Sequence, residues 1–331
     1  MFTTAVEAAI RSLFMIKFIR KAPFIIFFVS ILSVTPSFAQ GTAPADSVNI
    51  WNFGGAGTIN FSQVSLSNWA AGGQNSVSVL GIANLFANYA KGDNTWNNSL
   101  DLTYGMLKLE NQRLRKSDDK LELNFKYGHR ASDKWFYTAQ VNVKTQLSPT
   151  YTPERDSVLS DFFVPAFILG SIGMDYKPND KLSVFISPVT GKFTAVRSQR
   201  LADLGAFGVR PAETDALGRT IPGTGERLRE EFGGFVNVRY REEILQNVIF
   251  QSKLDLFSNY LQRPENVDVN WENLINFKVN KLISASLFVH MIYDDDIKIN
   301  IPQEGPDSPA KKGPRLQVKE TLGIGISYSF K

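Results

Sequence analysis

Apolar and polar residues alternate with a period of two over most of this sequence from about residue 55 onward. The segment from Leu121 to Tyr127, LELNFKY, puts leucine and aromatic side chains on one face and Glu122, Asn124 and Lys126 on the other. The final segment of the chain divides in the same way. Because a period of two is that of a β-strand with two unlike faces, the sequence predicts a chain that is almost entirely β.

About twelve segments share this alternation, and they are centred near residues 60, 82, 102, 124, 141, 170, 186, 236, 253, 273, 288 and 324. Many run for about ten residues or more, the length that a tilted strand needs to cross a bilayer. Strands of soluble sheets are usually shorter, at about five or six residues. The sequence therefore predicts an all-β fold, a single transmembrane antiparallel β-barrel of about 12 strands.

Tight turns and longer polar loops alternate along the chain. The tight turns are predicted at 91–94, 131–133, 177–180, 242–246 and 280–281, and the longer loops at 67–74, 111–119, 148–162, 196–227, 261–266 and 297–315. Outer-membrane barrels have short periplasmic turns and longer extracellular loops. We therefore expect a periplasmic N-terminus, an extracellular first loop and an even number of strands.

Aromatic residues cluster toward the predicted strand ends, where their amphipathic rings would form girdles at the two membrane interfaces. They are Trp96, Tyr127, Trp135, Tyr137, Tyr176, Tyr240, Tyr260, Tyr293 and Tyr328. The alternative is that they form the core of a soluble β-sandwich or a lipocalin-like barrel. Strand length favours the membrane barrel.

The N-terminus has the layout of a secretory signal peptide. Lys17, Arg20 and Lys21 form a basic region, an apolar stretch covers 24–34, and a small-residue cleavage site ends at Ala39. A membrane-anchoring helix would need about 20 apolar residues, more than this stretch provides. We expect a signal peptide at 1–39 (with Met15 as an alternative start), a short periplasmic segment at 40–53, the barrel at 54–331, and export to the outer membrane of a Gram-negative cell.

Composition excludes several classes of function. The first 39 residues supply +3 of the formal net charge of +4, so the rest of the chain offers no basic groove for nucleic acid. Cysteine is absent, which excludes a thiolate nucleophile, a disulfide framework and a cysteine-ligated metal site. We therefore expect no cofactor and no nucleic-acid partner.

Short motifs are spread over the chain from about residue 51 to residue 331. They include Asn68-Trp69-Ala70-Ala71-Gly72-Gly73, Lys126-Tyr127-Gly128, Phe163-Val164-Pro165-Ala166, Gly173-Met174-Asp175-Tyr176-Lys177-Pro178, Leu256-Phe257-Ser258-Asn259-Tyr260 and Tyr293-Asp294-Asp295-Asp296. Together they resemble a Bacteroidota-type outer-membrane family that is catalogued as domain of unknown function family 3078. The resemblance implies a predicted outer-membrane barrel without an assigned activity or catalytic residue.

If the apolar face meets lipid, the opposite face carries charges of both signs into the barrel. The lumen-lining candidates are Glu122, Lys126, Lys144, Arg239, Arg241, Lys253, Asp255, Glu272, Lys278 and His290. They would either line a polar path or fill the barrel with salt bridges. Phe86, Phe136, Phe235 and Phe288 share the inward face, which favours a plug or a narrow pore.

Other motifs carry weaker chemical hypotheses. His290 could join a serine and an aspartate in a barrel-embedded hydrolase, but no nucleophile motif supports this and no catalytic residue is predicted. The run 294–296, Asp-Asp-Asp, could bind Ca²⁺, but it lacks the spacing of a calcium loop and is typical of a solvated strand end. The glycine-rich segments 54–57 and 223–226 lack the sequence of a phosphate-binding loop.

The sequence thus predicts a porin-like outer-membrane protein that is a narrow channel or a surface-exposed binding protein of unknown substrate. The alternative is a structural or assembly partner in an outer-membrane complex. The expected partners are outer-membrane lipid, lipopolysaccharide and, during insertion, the barrel-assembly machinery, with an envelope protein partner left open.

Overall fold

A computed structural model of the 331-residue chain describes residues 50–66, 74–152, 157–280, 282–297, 299–301 and 311–330. The signal peptide predicted at 1–39 lies outside these residues, as do most of the first loop and its Trp69. The first strand begins at Trp51, three residues before the predicted start of the barrel at 54.

Twelve long antiparallel strands close into one barrel, and four short strands lie outside it. In chain order they are β1 (Trp51–Val64), β2 (Ser76–Lys91), β3 (Asn94–Leu109), β4 (Arg115–Arg130), β5 (Trp135–Thr145), β6 (Thr150–Tyr151), β7 (Val158–Ser160), β8 (Ala166–Asn179), β9 (Leu182–Ala195), β10 (Leu228–Leu245), β11 (Val248–Asn259), β12 (Val267–Lys278), β13 (Ile283–Tyr293), β14 (Ile299–Ile301), β15 (Lys311–Gly313) and β16 (Gln317–Phe330). The barrel closes in the order β1-β16-β13-β12-β11-β10-β9-β8-β5-β4-β3-β2. Every predicted segment centre lies within one of these twelve strands, so the predicted all-β barrel is confirmed.

The outer surface of the barrel is apolar. Ile172, Leu322 and Ile326 are each more than 60% exposed, and Phe125 and Val141 are more than 40% exposed. These residues sit at alternate positions, so their polar neighbours in sequence face the interior. A water-soluble protein rarely exposes so continuous an apolar surface. The barrel is therefore of the transmembrane, outer-membrane type.

Aromatic rings cluster at the short-turn end of the barrel. Trp51 contacts Tyr89 and Trp96 across neighbouring strands, with ring centroids 5.3 and 6.4 Å away. Trp135, the first residue of β5, lies 4.8 Å from Tyr176 near the end of β8. This arrangement is typical of an interfacial girdle. At the opposite end the corresponding contact is between Phe232 and Tyr260.

The connections alternate in length as predicted, with corrections to their bounds. The turns predicted at 177–180 and 242–246 lie largely within β8 and β10, which end at Asn179 and Leu245. Strand β4 begins at Arg115, so residues 115–119 belong to a strand and not to the predicted loop at 111–119. The strand continues because Arg115 and Lys116 still pair with Leu107 and Met106 of β3 after a bulge. The long loops also contain small hairpins, formed by β6 with β7 and by β14 with β15.

The long loop at 196–227 folds around its own apolar core. It contains the helix α1 (Gln199–Asp203) and a 3₁₀ turn at Ala206–Gly208. Leu201, Ala202 and Val209 are buried together with Val196 and with Val164 of the preceding long loop. Within the described parts of the chain, no helix has the length and hydropathy needed to span a bilayer.

The carboxylate of Asp203 joins the helix α1 to the glycine-rich segment of this loop. Asp203 accepts hydrogen bonds from the side chain of Gln199 and from the backbone N–H groups of Gly223 and Gly225. The hydrogen bond from Gln199, followed by those from the backbone, holds the pKa of Asp203 below its usual range. The glycine-rich segment predicted not to bind phosphate thus donates its N–H groups to the loop itself.

We expect Val141→Lys, which puts a charge on the apolar outer face of β5, to lower the free energy of unfolding in lipid bilayers by about 2–4 kcal/mol. Asp133→Lys, in the exposed turn before β5, is the matched control and is expected to change it little. The measurement is reversible urea denaturation in vesicles. Equal effects of the two substitutions would contradict the assignment of this face to lipid.

Candidate functional site: charged groups across the barrel lumen

Inward side chains of neighbouring strands lie in rows fixed by strand register. In one row Glu122 of β4 stands between Asp101 of β3 and Lys144 of β5. A second row contains Arg239, Lys253, Glu272, His290 and Lys319 on β10, β11, β12, β13 and β16. Unlike charges therefore occur side by side within each row, where cross-strand pairs stabilise a sheet.

Ion pairs cross the barrel from one wall to the other. Lys253 Nζ lies 2.6 Å from Glu122 Oε1, and Lys120 Nζ of β4 lies 3.0 Å from Glu272 Oε1. Lys120 Nζ is also 3.5 Å from Glu122 Oε2, which joins the two pairs. Several strands separate β4 from β11 and β12 in both directions around the barrel, so these contacts pass through the lumen.

Amide side chains complete the hydrogen bonding of this four-residue group, which we call the cross-lumen network (Lys120, Glu122, Lys253, Glu272). Asn142 Nδ2 donates to Glu122 Oε1 over 2.8 Å. Asp255, 3.7 Å from Lys253, accepts from Asn237 and Asn270. Such partners are required because a charge inside a barrel is costly unless it is paired and hydrogen-bonded.

His290 belongs to the same surroundings. Its Nε2 lies 2.6 Å from Asn270 Oδ1 and 3.9 Å from Glu272 Oε1, and its ring lies against Phe288. The nitrogen that a hydrolytic triad would direct at a serine is thus engaged by an amide oxygen. This geometry fits a histidine held in a polar network and disfavours the hydrolase alternative.

A cluster of phenylalanines fills the interior beside the charges. Phe185 is fully buried and meets Phe235 edge-on at 6.3 Å, and Phe257 completes the cluster. Lys126 Nζ sits 4.9 Å over the Phe185 ring and 2.8 Å from Asp175 Oδ2. Cation–π and ionic contacts together hold this lysine against the aromatic cluster.

The interior is filled unevenly. Many inward side chains on β4, β5 and β8 to β10 are buried, including Glu122 at 3%, Asp175 at 0% and Asn237 at 1% exposure. Inward residues on β2, β3, β12 and β16, such as Asn84 and Lys319, are half-buried or exposed. The free space of the lumen therefore runs along the wall formed by β1 to β3, β16 and β12.

A second group of charges lies at the loop end of the barrel. Lys192 Nζ is 2.7 Å from Asp268 Oδ2 and 3.5 Å from Glu231 Oε2. Arg229 pairs with both Glu231 and Asp296. Two carboxylates of the run at 294–296 are thus bound by arginines, since Arg263 pairs with Asp295 and Asp296. Within the described residues no group of three or more metal-ligating side chains is placed to hold an ion.

Most of the predicted lumen-lining residues meet in one place. Glu122, Lys253 and Glu272 form the cross-lumen network, with Lys144, Asp255, Arg239 and His290 beside it and Lys126 near the phenylalanines. Arg241 and Lys278 are exposed at the short-turn rim and lie outside the network. Arg241 there donates to Gln251 over 3.3 Å.

Sequence reasoning missed several inward groups, namely Lys120, Phe185, Lys192, Arg229, Glu231 and Phe257. Lys120 and Phe257 share the strand parity of Glu122 and Lys253, so alternation contained a signal for both. Phe185 and Lys192 lie on opposite sides of a bulge in β9, at Ser187 to Val189, which shifts its register against both β8 and β10. Pro188 within this bulge is a sequence signal for it, since proline inside a paired strand is typically found at a bulge.

Comparison with known proteins identifies one family and a general similarity of shape. The family described as "Protein of unknown function (DUF3078)" matches residues 61–151, which confirms the resemblance over that part of the chain. None of the curated protein sequences matches this chain.

Solved structures with a similar arrangement of strands include an outer membrane channel from Pseudomonas putida F1, with 12% identity, a TM-score of 0.37 and coverage of 86% of this chain and 99% of that one. The translocator domain of the autotransporter NalP from Neisseria meningitidis gives 9% identity, a TM-score of 0.31 and coverage of 87% and 90%. The outer membrane channel DcaP of Acinetobacter baumannii has 11% identity, a TM-score of 0.29 and coverage of 85% of this chain and 95% of that one.

We expect Glu122→Gln to lower the free energy of unfolding by about 3 kcal/mol, because it leaves Lys253 without its strongest partner. The double substitution Glu122→Met with Lys253→Met is expected to recover much of this loss, since Lys253 is removed together with its strongest partner. Glu243→Gln, at the exposed short-turn end of β10, is the control. A double variant as unstable as the single one would contradict the pairing.

Proposed function

We propose that this chain is an outer-membrane protein that forms a narrow channel for small polar or ionic solutes, with the cross-lumen network as its constriction. The proposal rests on the paired charges that span the lumen from one wall to the other. Solvent still reaches the space beside them. The side chains of Lys120, Lys253 and Glu272 keep between 13% and 23% of their surface exposed. A constriction lined by charges of both signs admits small hydrated solutes and excludes large ones.

The apolar outer face and the aromatic girdle support the outer-membrane location. Strands pair around most of the circumference of this closed barrel, so few backbone groups lack partners, as a hydrocarbon environment requires. In this proposal the signal peptide at 1–39 directs export, the barrel-assembly machinery inserts the chain, and lipopolysaccharide surrounds its outer half. An envelope protein partner would bind at the loops or at the periplasmic rim.

A surface-binding role is the second candidate, and the folded loop at 196–227 favours it. A loop with its own buried core presents a fixed surface, as binding loops on rigid scaffolds do. Gly208 of this loop lies over Arg229, since a Cβ at Gly208 would approach Arg229 Nη1 to 2.5 Å. The loop therefore reaches the charged groups at the barrel mouth.

We expect small single-channel conductance from the wild-type protein in planar bilayers, and larger conductance from Glu122→Ala with Lys253→Ala, which removes a bridge across the lumen. Lys253→Ala alone is expected to shift selectivity toward cations, because it leaves an excess negative charge at the constriction. Arg241→Ala at the rim is the matched control and should leave conductance unchanged.

Shortening of residues 198–226 gives an independent variant in which the mouth is widened without change to the network. Silence from this variant and from the double alanine variant, in preparations shown to be folded by heat-modifiable migration, would eliminate the channel. The binding role would then remain.

We expect a peptide tag inserted beside Gly218, in the exposed part of the long loop, to be labelled on intact cells. The same tag in the tight turn at 180–181 should be labelled only after the outer membrane is permeabilised. Flow cytometry with a tag antibody measures both. Labelling of the short turn alone on intact cells would reverse the proposed orientation.

A further inference from the structure

The seam between the first and last strands is paired along only part of its length. Strands β1 and β16 pair from Gly55↔Phe330 to Asn60↔Gly325, which is six pairs. The other eleven seams of the barrel each contain ten or more pairs. Residues 61–64 of β1 and 317–324 of β16 are extended but have no partner across this seam.

The unpaired part is the half of the seam nearest the long loops, because β1 ends and β16 begins there. We call it the open seam (61–64 with 317–324). Backbone N–H and C=O groups without partners are costly in hydrocarbon, so their contact with lumen water or a polar ligand is required for stability. The open seam therefore lies between the membrane side of the barrel and the less filled side of the lumen.

An unsatisfied amide lies at the base of the open seam. Asn60 is only 6% exposed, and neither its Nδ2 nor its Oδ1 has a hydrogen-bond partner among the described residues. The amide lies across the seam, since a Cβ at Gly323 would meet Asn60 Cγ at 3.0 Å and one at Gly325 would meet Asn60 Oδ1 at 2.3 Å. This buried amide lacks a hydrogen-bond partner, and the polar head of a ligand can supply one.

Apolar side chains flank the open seam on both faces. Outside, Phe61 and Ile324 are 54% and 66% exposed to the surroundings of the barrel. Inside, Leu80 of β2 stands next to Asn60, and Phe288 of β13 stands next to Thr321 of β16. A molecule that moves through the seam would thus meet apolar groups on both faces, besides the polar side chains of Asn60, Ser62, Thr321 and Lys319.

An ion pair lies on the lumen side of the wall that contains the open seam. Lys319, within the unpaired part of β16, binds Asp118 of β4, although β1, β2 and β3 lie between these strands in the barrel. The pair therefore runs along the inside of the wall that contains the seam. It separates the seam from the loop end of the lumen and would be displaced or bypassed by an entering molecule.

We propose that the open seam is a lateral entrance by which an amphipathic molecule with a single unbranched apolar chain and a carboxylate head moves between the membrane and the lumen. The head binds the amide of Asn60, and the chain packs against Leu80 and Phe288. This inference rests on the outer-membrane location in the proposed function but not on ion conduction through the constriction.

The test uses hexadecanoic acid with a photoreactive diazirine on its chain, added to vesicles that contain the folded full-length protein. Illumination followed by peptide mass spectrometry is expected to find adducts on the lumen-facing Leu80 and Phe288, besides adducts on the lipid-facing Val79. The chain has no cysteine, so Ser62→Cys with Gly323→Cys places the only two thiols on opposite edges of the open seam. Oxidation should remove the lumen adducts, retain those on Val79, and be reversed by dithiothreitol.

The matched control is Thr58→Cys with Ser327→Cys, two residues that are already paired below the open seam. Its disulfide should leave the lumen adducts unchanged. Asn60→Ala should reduce labelling of the lumen by the acid about tenfold, as loss of a hydrogen bond to a charged group does, and should not reduce labelling by the corresponding alcohol to that degree.

Lumen adducts that persist when the Ser62–Gly323 pair is oxidised, or their absence from the wild-type protein, would overturn the lateral entrance. Conductance of potassium ions is recorded from the same preparations. Normal conductance with no lumen adducts would refute the entrance alone, and lumen adducts without conductance would refute the channel alone.

Discussion

Backbone hydrogen bonding in a hydrocarbon environment is the constraint from which the rest of this structure follows. Lipid offers no partner for an N–H or C=O group, so each strand must pair on both sides and the sheet must close. Eleven seams meet this requirement over ten or more residue pairs, and the β1–β16 seam meets it over six. The barrel is thus complete at its short-turn end and incomplete over part of its loop end.

Because the barrel is closed and its outer face is apolar, the polar and charged side chains of its strands face inward. With the apolar positions of every strand used for contact with lipid, the alternate positions carry charges that cannot reach bulk water freely. Their partners come from opposite walls, as Lys253 and Glu122 show, because neighbouring strands alone would place some like charges together. Arg239, whose neighbour in the row is Lys253, illustrates that conflict, since its Nε is buried without a partner among the described residues.

The part of this arrangement that sequence can predict is the part governed by strand period. Alternation located all twelve strands and assigned Glu122, Lys253 and Glu272 to the lumen, because a period of two fixes the face of a strand. It could not reveal that Lys120 meets Glu272, since that contact depends on the order of strands around the barrel and on their stagger. A bulge adds a further limit: Pro188 marks its place in β9, but the sequence does not give the resulting register against β8 and β10.

The uneven filling of the interior places the cross-lumen network and the open seam on adjoining sides of the lumen. Phe185, Phe235 and Phe257 occupy the side formed by β9 to β11, so the paired charges extend from that filled side toward the freer wall. The freer wall includes β1 and β16, whose inward residues near the seam are small, with Gly323 and Gly325 opposite the amide of Asn60. A larger side chain at Gly325 would displace Asn60 and close the space beside it. The same small residues that weaken the packing of this wall therefore lie beside the seam with the fewest residue pairs among the described strands.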